Sequence, residues 1–226
     1  MSLIEQLPTY EKPREKALQF GIESLSNTEL LALLIRHGTK NHSALEIAKE
    51  LLEKSGGIGR LSSSSLNELM NVKGISQVKA IELQAVFTLL KRICFERIEE
   101  KDVIRSQNAF VHWLKVKIGF ERVENFMVVF LDNANHIIHY KILCKGTVNY
   151  ATVYPREIMK EALMTDAVSL ILVHNHPSQN YKPSPQDITL TKRIFEVGQM
   201  IDVKVLDHLI VTGQNCYSIL FEKTIC

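Results

Sequence analysis

Two kinds of hydrophobic spacing divide the chain. Up to about residue 97, apolar residues recur every three to four positions, as on one face of a helix; Leu45, Ala48, Leu51 and Leu52 form such a face. Beyond residue 120 the pattern changes to short continuous apolar runs, Phe126–Leu131 and Val168–Val173. Runs of that length read as strands buried on both faces. The first region predicts an all-helical bundle with glycine-marked turns. One helix opens within Glu11–Leu18, with Pro13 in its first turn, and ends at Gly21. Ser26 and Glu29 form a capping box before Leu30–Ile35, a helix stopped by Gly38. Ser43 caps Ala44–Lys54, which Gly56 and Gly57 stop; Ser65–Met70 is a short helix, Val72–Ser76 a tight turn and Gln77–Arg97 a long helix.

The second region predicts a helix over Ser106–Ile118 and a hairpin of Phe126–Leu131 with Ile137–Leu143. Then come a helix over Pro155–Met164, the strand Val168–Val173, a helix over Ser184–Met200, and strands at Val203–Val211 and Tyr217–Phe221. This order fits a central sheet with helices on both faces, an α/β domain. The charge-rich Glu96–Asp102 separates the two regions, so the expected domains are residues 1–97 and 103–226.

Composition narrows the function classes. Net charge is +2, with 12 basic and 10 acidic residues in 1–95 and 15 of each in 96–226. That balance gives no ground, by charge alone, for a nucleic-acid partner. No apolar run approaches the ~20 residues of a membrane-spanning helix. The N-terminus has no basic stretch followed by an apolar core, so the expected location is cytoplasmic, with no membrane partner. Cys94, Cys144, Cys216 and Cys226 are scattered without a CxxC pair, and are expected to be reduced thiols.

The chemistry concentrates after the second buried strand. His174 and His176 are two residues apart, so in extended backbone both imidazoles point to one side. Asp187 lies in the first turn of the next helix. Two imidazole nitrogens and one carboxylate make a tetrahedral zinc set with an open fourth position, the pattern of a catalytic site. Such a site needs a base, and Glu124, at the start of the other buried strand, is the best candidate; Glu121, Glu157 and Glu161 are less constrained. A plain structural reading competes: Ser184 as N-cap, Pro185 at N1 and Asp187 near the positive helix end. It explains Ser184 and Asp187 but not the His-Asn-His-Pro that precedes them. Asp207-His208 is open between a ligand-orienting partner and structural packing. His37, His42, His136 and His139 read as solvated.

Two resemblances follow from these residues. Leu69–Leu83 resembles a helix-hairpin-helix, in which a turn and a helix N-terminus offer amides to a DNA phosphate. Gly74 stands at the first glycine of the hairpin and Ser76 at the second; Lys73 and Lys79 flank the turn. Lys73, Gly74 and Lys79 are the expected DNA contacts, against an ordinary helical hairpin with solvated lysines. His174-x-His176, seven residues, Ser184, two residues and Asp187 matches the JAMM (JAB/MPN) metalloprotease motif. With Lys145-Gly-Thr-Val-Asn149, Val153–Ile158, His174–Ser178, Asp207-His208 and the N-terminal Pro13–Lys16, Glu23–Ser26 and Leu30–Arg36, nearly the whole chain resembles the RadC family.

That resemblance implies a JAMM-like, deaminase-like mixed sheet behind a small helix-hairpin-helix-type domain. It implies one Zn2+ per chain on His174, His176 and Asp187, with Glu124 catalytic and Ser184 helping to hold the oxyanion. It implies a peptide or protein substrate, and the family's DNA-repair label adds DNA as a partner through the helical domain. Gln179 departs from the family, which usually has glycine there. The leading expectation is a zinc-dependent peptidase or isopeptidase. The alternative is a DNA-associated binding protein whose metal site is structural or vestigial. A nucleotide deaminase is set aside, because its H-x-E and P-C-x-x-C pattern is missing. Whether Phe195 and Met200 pack internally or serve a dimer is open from sequence.

Overall fold

The computed structural model describes Pro8, residues 12–146 and residues 153–225. Glu11, Thr147 to Asn149 of the Lys145–Asn149 motif, and Cys226 lie outside the described residues. The chain divides into two compact units, Met1–Leu89 and Leu90–Cys226.

The first unit is helical throughout its described residues. It contains α1 (Pro13–Phe20), a 3₁₀ turn (Ile22–Ser24), α2 (Asn27–Ile35), α3 (Ala44–Ser55), α4 (Ile58–Leu61), α5 (Leu66–Met70) and most of α6 (Gln77–Glu99). Three serines start three of these helices in the same way. Ser26, Ser43 and Ser65 each accept from the amide three residues on, and Glu29, Glu46 and Glu68 reach back to the cap amide. Each pair satisfies two donors that a helix start leaves without partners. The packed faces meet in a core that includes Ile35, Ile47, Leu51, Leu61, Leu69 and Leu83. Gly74 sits at φ +99° in the hairpin turn, and a Cβ there would come 2.5 Å from Ile47 Cδ1, so the turn lies against α3. Two details differ from the sequence expectation. Helix α2 ends at Ile35, before Gly38, because Arg36 turns the chain at φ 63°. The one-turn α4 follows the double glycine, in a stretch to which the sequence pattern assigned no element.

The second unit is the expected sheet between helices. After α7 (Gln107–Leu114) and a π-helical turn (Lys115–Gly119) come β1 (Asn125–Leu131), β2 (Ile137–Lys145), α8 (Pro155–Met164), β3 (Ser169–Asn175), α9 (Pro185–Met200), β4 (Lys204–Val211), β5 (Cys216–Ser218) and β6 (Lys223–Thr224). The strand order is β2-β1-β3-β4-β5-β6. β3 and β4 are parallel across α9, and the other neighbours are antiparallel. Every residue of β1 and β3 is buried, as continuous apolar strands require. Alternate side chains feed two cores. Phe126, Val128, Leu170 and Leu172 pack under α8 and α9. Met127, Val129, Ile171 and Val173 pack under α7 and the last turns of α6, with Trp113 and Ile98. No helix among the described residues is long and apolar enough to cross a membrane.

Two features bring the chemistry to one edge of this sheet. The antiparallel register pairs Phe126 with His174, so the segment just before β1 and the end of β3 lie side by side. Helix α9 then starts over the end of β3 and lies close to the sheet. A Cβ on Gly198 of α9 would meet Val203 O at 2.5 Å and Val205 Cγ2 at 3.3 Å. The Gly198→Ala substitution should therefore destabilise the second unit by about 1–3 kcal/mol, the usual range for overpacking. Urea unfolding followed by the single tryptophan, Trp113 in that unit, reads this directly; an unchanged midpoint would contradict the packing described.

Candidate metal centre

His174 and His176 leave the end of β3 on the same side of the sheet as Leu172. Their Nε2 atoms face each other at 2.9 Å. Asp187 closes the group from α9, with Oδ1 3.1 Å from His174 Nε2 and Oδ2 3.8 Å from His176 Nε2. Glu124 approaches from the segment before β1, its Oε1 4.0 Å from His176 Nε2. One ligand atom from each of Glu124, His174 and His176 falls within 4.8 Å of the others. The His174 and Asp187 side chains are each 2% exposed, whereas those of His176 and Glu124 are 15% and 22% exposed. The site is therefore closed at the His174–Asp187 side and open to solvent at the Glu124 side.

Hydrogen bonds decide where the ring protons sit. Thr191 is four residues after Asp187, on the same face of α9. Its hydroxyl donates to the Asp187 carbonyl at 2.6 Å and also lies 2.6 Å from His208 Nδ1. A hydroxyl has one proton, so His208 Nδ1 must donate to Thr191. Burial, and then the neighbouring His174, push the His208 imidazole well below its usual value, so that ring is neutral. Its Nε2 is then an acceptor, and it lies 2.9 Å from His174 Nδ1. His174 Nδ1 donates, which leaves its Nε2, 3.1 Å from Asp187 Oδ1, as the ring atom turned to the site. His176 reaches the same state by a shorter route, since its Nδ1 lies 2.6 Å from the carbonyl of Asn180, which can only accept.

Two ring nitrogens facing each other across 2.9 Å, with their far nitrogens both bonded elsewhere, favour a positive charge between them. The Asp187 carboxylate strengthens that demand. Burial pushes its carboxyl up, but His174 and the hydroxyl and amide of Ser184 more than offset this and hold it well below the usual carboxylate range. The donor set, two imidazole nitrogens and a carboxylate oxygen, suits zinc with a further position left over. By these tests the residues fit a metal ion.

Around the ligands, the chain fixes their positions. Ser184 caps α9: its amide and hydroxyl donate to Asp187 Oδ2 at 2.7 and 2.6 Å, and its Oγ accepts from the Asp187 amide at 3.2 Å. The capping and ligand readings of Ser184 and Asp187 are thus one arrangement, in which the cap orients the carboxylate. Gln179 occupies the left-handed region at φ 63°, which explains why glycine suits that position. The glutamine side chain ties the loop down on both sides, donating to Gly119 O at 3.3 Å and accepting from the Gly213 amide at 2.9 Å. Two such bonds, each worth about 0.5–1.5 kcal/mol, offset a left-handed cost of roughly 1–2 kcal/mol.

Asp207 and His208 separate into two roles. His208 faces His174, while the Asp207 carboxylate accepts from Ser218 Oγ at 2.8 Å and from the amides of His208 and Leu220. Burial holds the Asp207 carboxyl above its usual value despite those bonds. It acts as a structural clamp. Thr191 and Asn180 had no motif to mark them, and Asn175 stood inside the His174–Ser178 motif without a role of its own; only the i,i+4 spacing of Asp187 and Thr191 pointed at the first. The expected DNA contacts lie in the other unit. Lys73 is exposed, whereas Lys79 Nζ donates to Gly74 O at 3.1 Å and His37 O at 2.6 Å, so this ammonium ties the hairpin turn to the segment after α2. Ser76 Oγ in turn accepts from the Lys79 amide at 3.4 Å, as a helix cap would.

Two family models match the chain. Residues 104–224 match a family described as the RadC-like JAB domain, and residues 4–81 match the UPF0758 N-terminal family. The chain is 40% identical over 220 residues to the UPF0758 protein YsxA of Bacillus subtilis, covering 97% of this chain and 95% of that one. A UPF0758 protein of Bacillus pumilus is 37% identical over 217 residues, covering 96% and 97%. One from Aliivibrio fischeri is 40% identical over 211 residues, covering 93% and 94%.

Because His208 sets the tautomer of His174, removing it should weaken zinc binding by about 10–100-fold, the usual cost of losing a partner behind a ligand. Competition with a chromophoric chelator measures this in His208→Ala. Wild-type affinity in that variant would break the proposed chain of protons.

Proposed function

The chain belongs to the RadC-like JAB-domain family, and from that premise we propose that it is a zinc-dependent hydrolase of amide bonds, a peptidase or isopeptidase. The observation that carries this reading is the pair of Nε2 atoms facing each other at 2.9 Å beside the Asp187 carboxylate. His174, His176 and Asp187 would hold the ion. A zinc ion bound there acidifies water and polarises a carbonyl as a Lewis acid.

The chain's own groups supply the rest. Glu124, at the solvent-facing side of the site, accepts a proton from the attacking water. The water oxygen bonds to the carbonyl carbon, the carbon–nitrogen bond breaks, and Glu124 delivers the proton to the departing nitrogen. Ser184 Oγ would turn its one proton from Asp187 Oδ2, which it holds at 2.6 Å, to the oxyanion that develops on the carbonyl oxygen. Burial of His174 and Asp187 leaves Glu124 and His176 as the more exposed side, from which an extended peptide would approach.

Metal content tests the reading. The purified chain should carry about one zinc per molecule by plasma mass spectrometry, and His174→Ala and Asp187→Ala should lose it. Glu124→Gln should keep the zinc while cleavage of a peptide library, followed by mass spectrometry, falls by at least ~100-fold, the lower end of what a general base contributes. A folded wild-type protein that takes up no zinc on reconstitution would sink the proposal.

A further inference from the structure

We propose that Asn175, the residue between the two histidines, is a positioning residue that holds Glu124 over them by clamping the backbone on both sides of it. This rests on the reading of Glu124 as the proton-transferring group. Strand alternation sends Asn175 to the face opposite the histidines, the Val173 side. There its side chain is completely buried, and its hydrogen bonds go to residues 121–125 rather than to the histidines.

A side-chain amide can donate twice and accept twice, and Asn175 does all four. Nδ2 donates to Glu121 O at 3.3 Å and Val123 O at 3.1 Å. Oδ1 accepts from the Asn125 amide at 2.8 Å and from Asn125 Nδ2 at 3.2 Å. The orientation of the amide is fixed, because flipping it would set oxygen against two carbonyls. Glu124 lies between the residues so held, and its own carbonyl accepts from the Gly146 amide at the end of β2 at 2.9 Å. The backbone of Val123, Glu124 and Asn125 is thus bonded at every residue. One strand turn of sequence therefore does two jobs: His174 and His176 form the ligand pair on one face, and Asn175 fixes the catalytic carboxylate from the other.

The chemistry of the clamp is specific. Aspartate has the same shape but no donor, and would press a buried carboxylate against two carbonyls. Serine is neutral and too short to span Val123 O and the Asn125 amide together. Both should free the 121–125 segment without touching a ligand.

The test uses the full chain loaded with cobalt(II), whose visible absorption reports the charge and geometry around the ion. Glu124→Gln should shift that band while binding about one cobalt per chain. Asn175→Ser should also bind about one cobalt and should shift the band in the same direction. Amide hydrogen exchange across 121–126 should rise at least ~10-fold in Asn175→Ser, the effect of losing buried hydrogen bonds, with β4 exchange unchanged. Asn175→Asp should do the same more strongly; if it does not fold, Asn175→Ser carries the test alone. A wild-type spectrum in Asn175→Ser beside a shifted one in Glu124→Gln overturns the role of Asn175. A wild-type spectrum in Glu124→Gln itself overturns the placement of Glu124, and with it this inference.

Discussion

Two imidazole nitrogens held 2.9 Å apart, each with its proton on the far side of the ring, set the terms for the second unit. Nothing in an apolar core favours that arrangement by itself. It persists because each far nitrogen is committed elsewhere, His174 to His208 and His176 to the Asn180 carbonyl. The commitment of His208 depends in turn on Thr191, whose single hydroxyl proton already goes to the Asp187 carbonyl. Three elements, β3, β4 and α9, must be in register for this chain of donors to close. A cation is then the natural complement of what they enclose.

The sheet provides that register at low cost in exposed polar groups. β1 and β3 are buried throughout, so the polar residues that matter are confined to their ends, where the chain can leave the sheet. The antiparallel pairing of Phe126 with His174 brings Glu124 to the histidines; with parallel strands it would lie at the opposite edge. The parallel pairing of Leu172 with His208 brings the second histidine beside the first. The helix start at Ser184 then sets the third ligand through an ordinary cap. Local and tertiary requirements coincide at these positions.

Much of this was legible in the sequence, for identifiable reasons. The serine caps and the buried strands are short-range patterns, and each was expected where it is found; the structure also brings His174, His176 and Asp187 together, as their spacing suggested. The long helix Gln77–Glu99 and the hairpin β1–β2 also followed from spacing alone. What the sequence left open depends on strand pairing. The role of His208 needs β3 and β4 side by side, and that of Asn175 needs β1 and β3 antiparallel. The two-residue strand β6 exists only as an edge on β5, and the π-helical turn at Lys115–Gly119 has no simple residue signature. Gln179 is instructive in another way. A departure from the expected glycine left the loop intact, because the side chain found two partners that glycine could not use.

The central claim is that the protein itself sets the two histidine tautomers, before any ion arrives. Nitrogen-15 ring spectra of the metal-free full chain test it most directly, with assignment by His174→Gln, His176→Gln and His208→Gln. The account predicts protonated Nδ1 atoms on His174, His176 and His208, and Nε2 resonances of the first two that move together on addition of one equivalent of zinc. A proton on Nδ1 of neither ligand histidine, or a His208 that donates through Nε2, would contradict it.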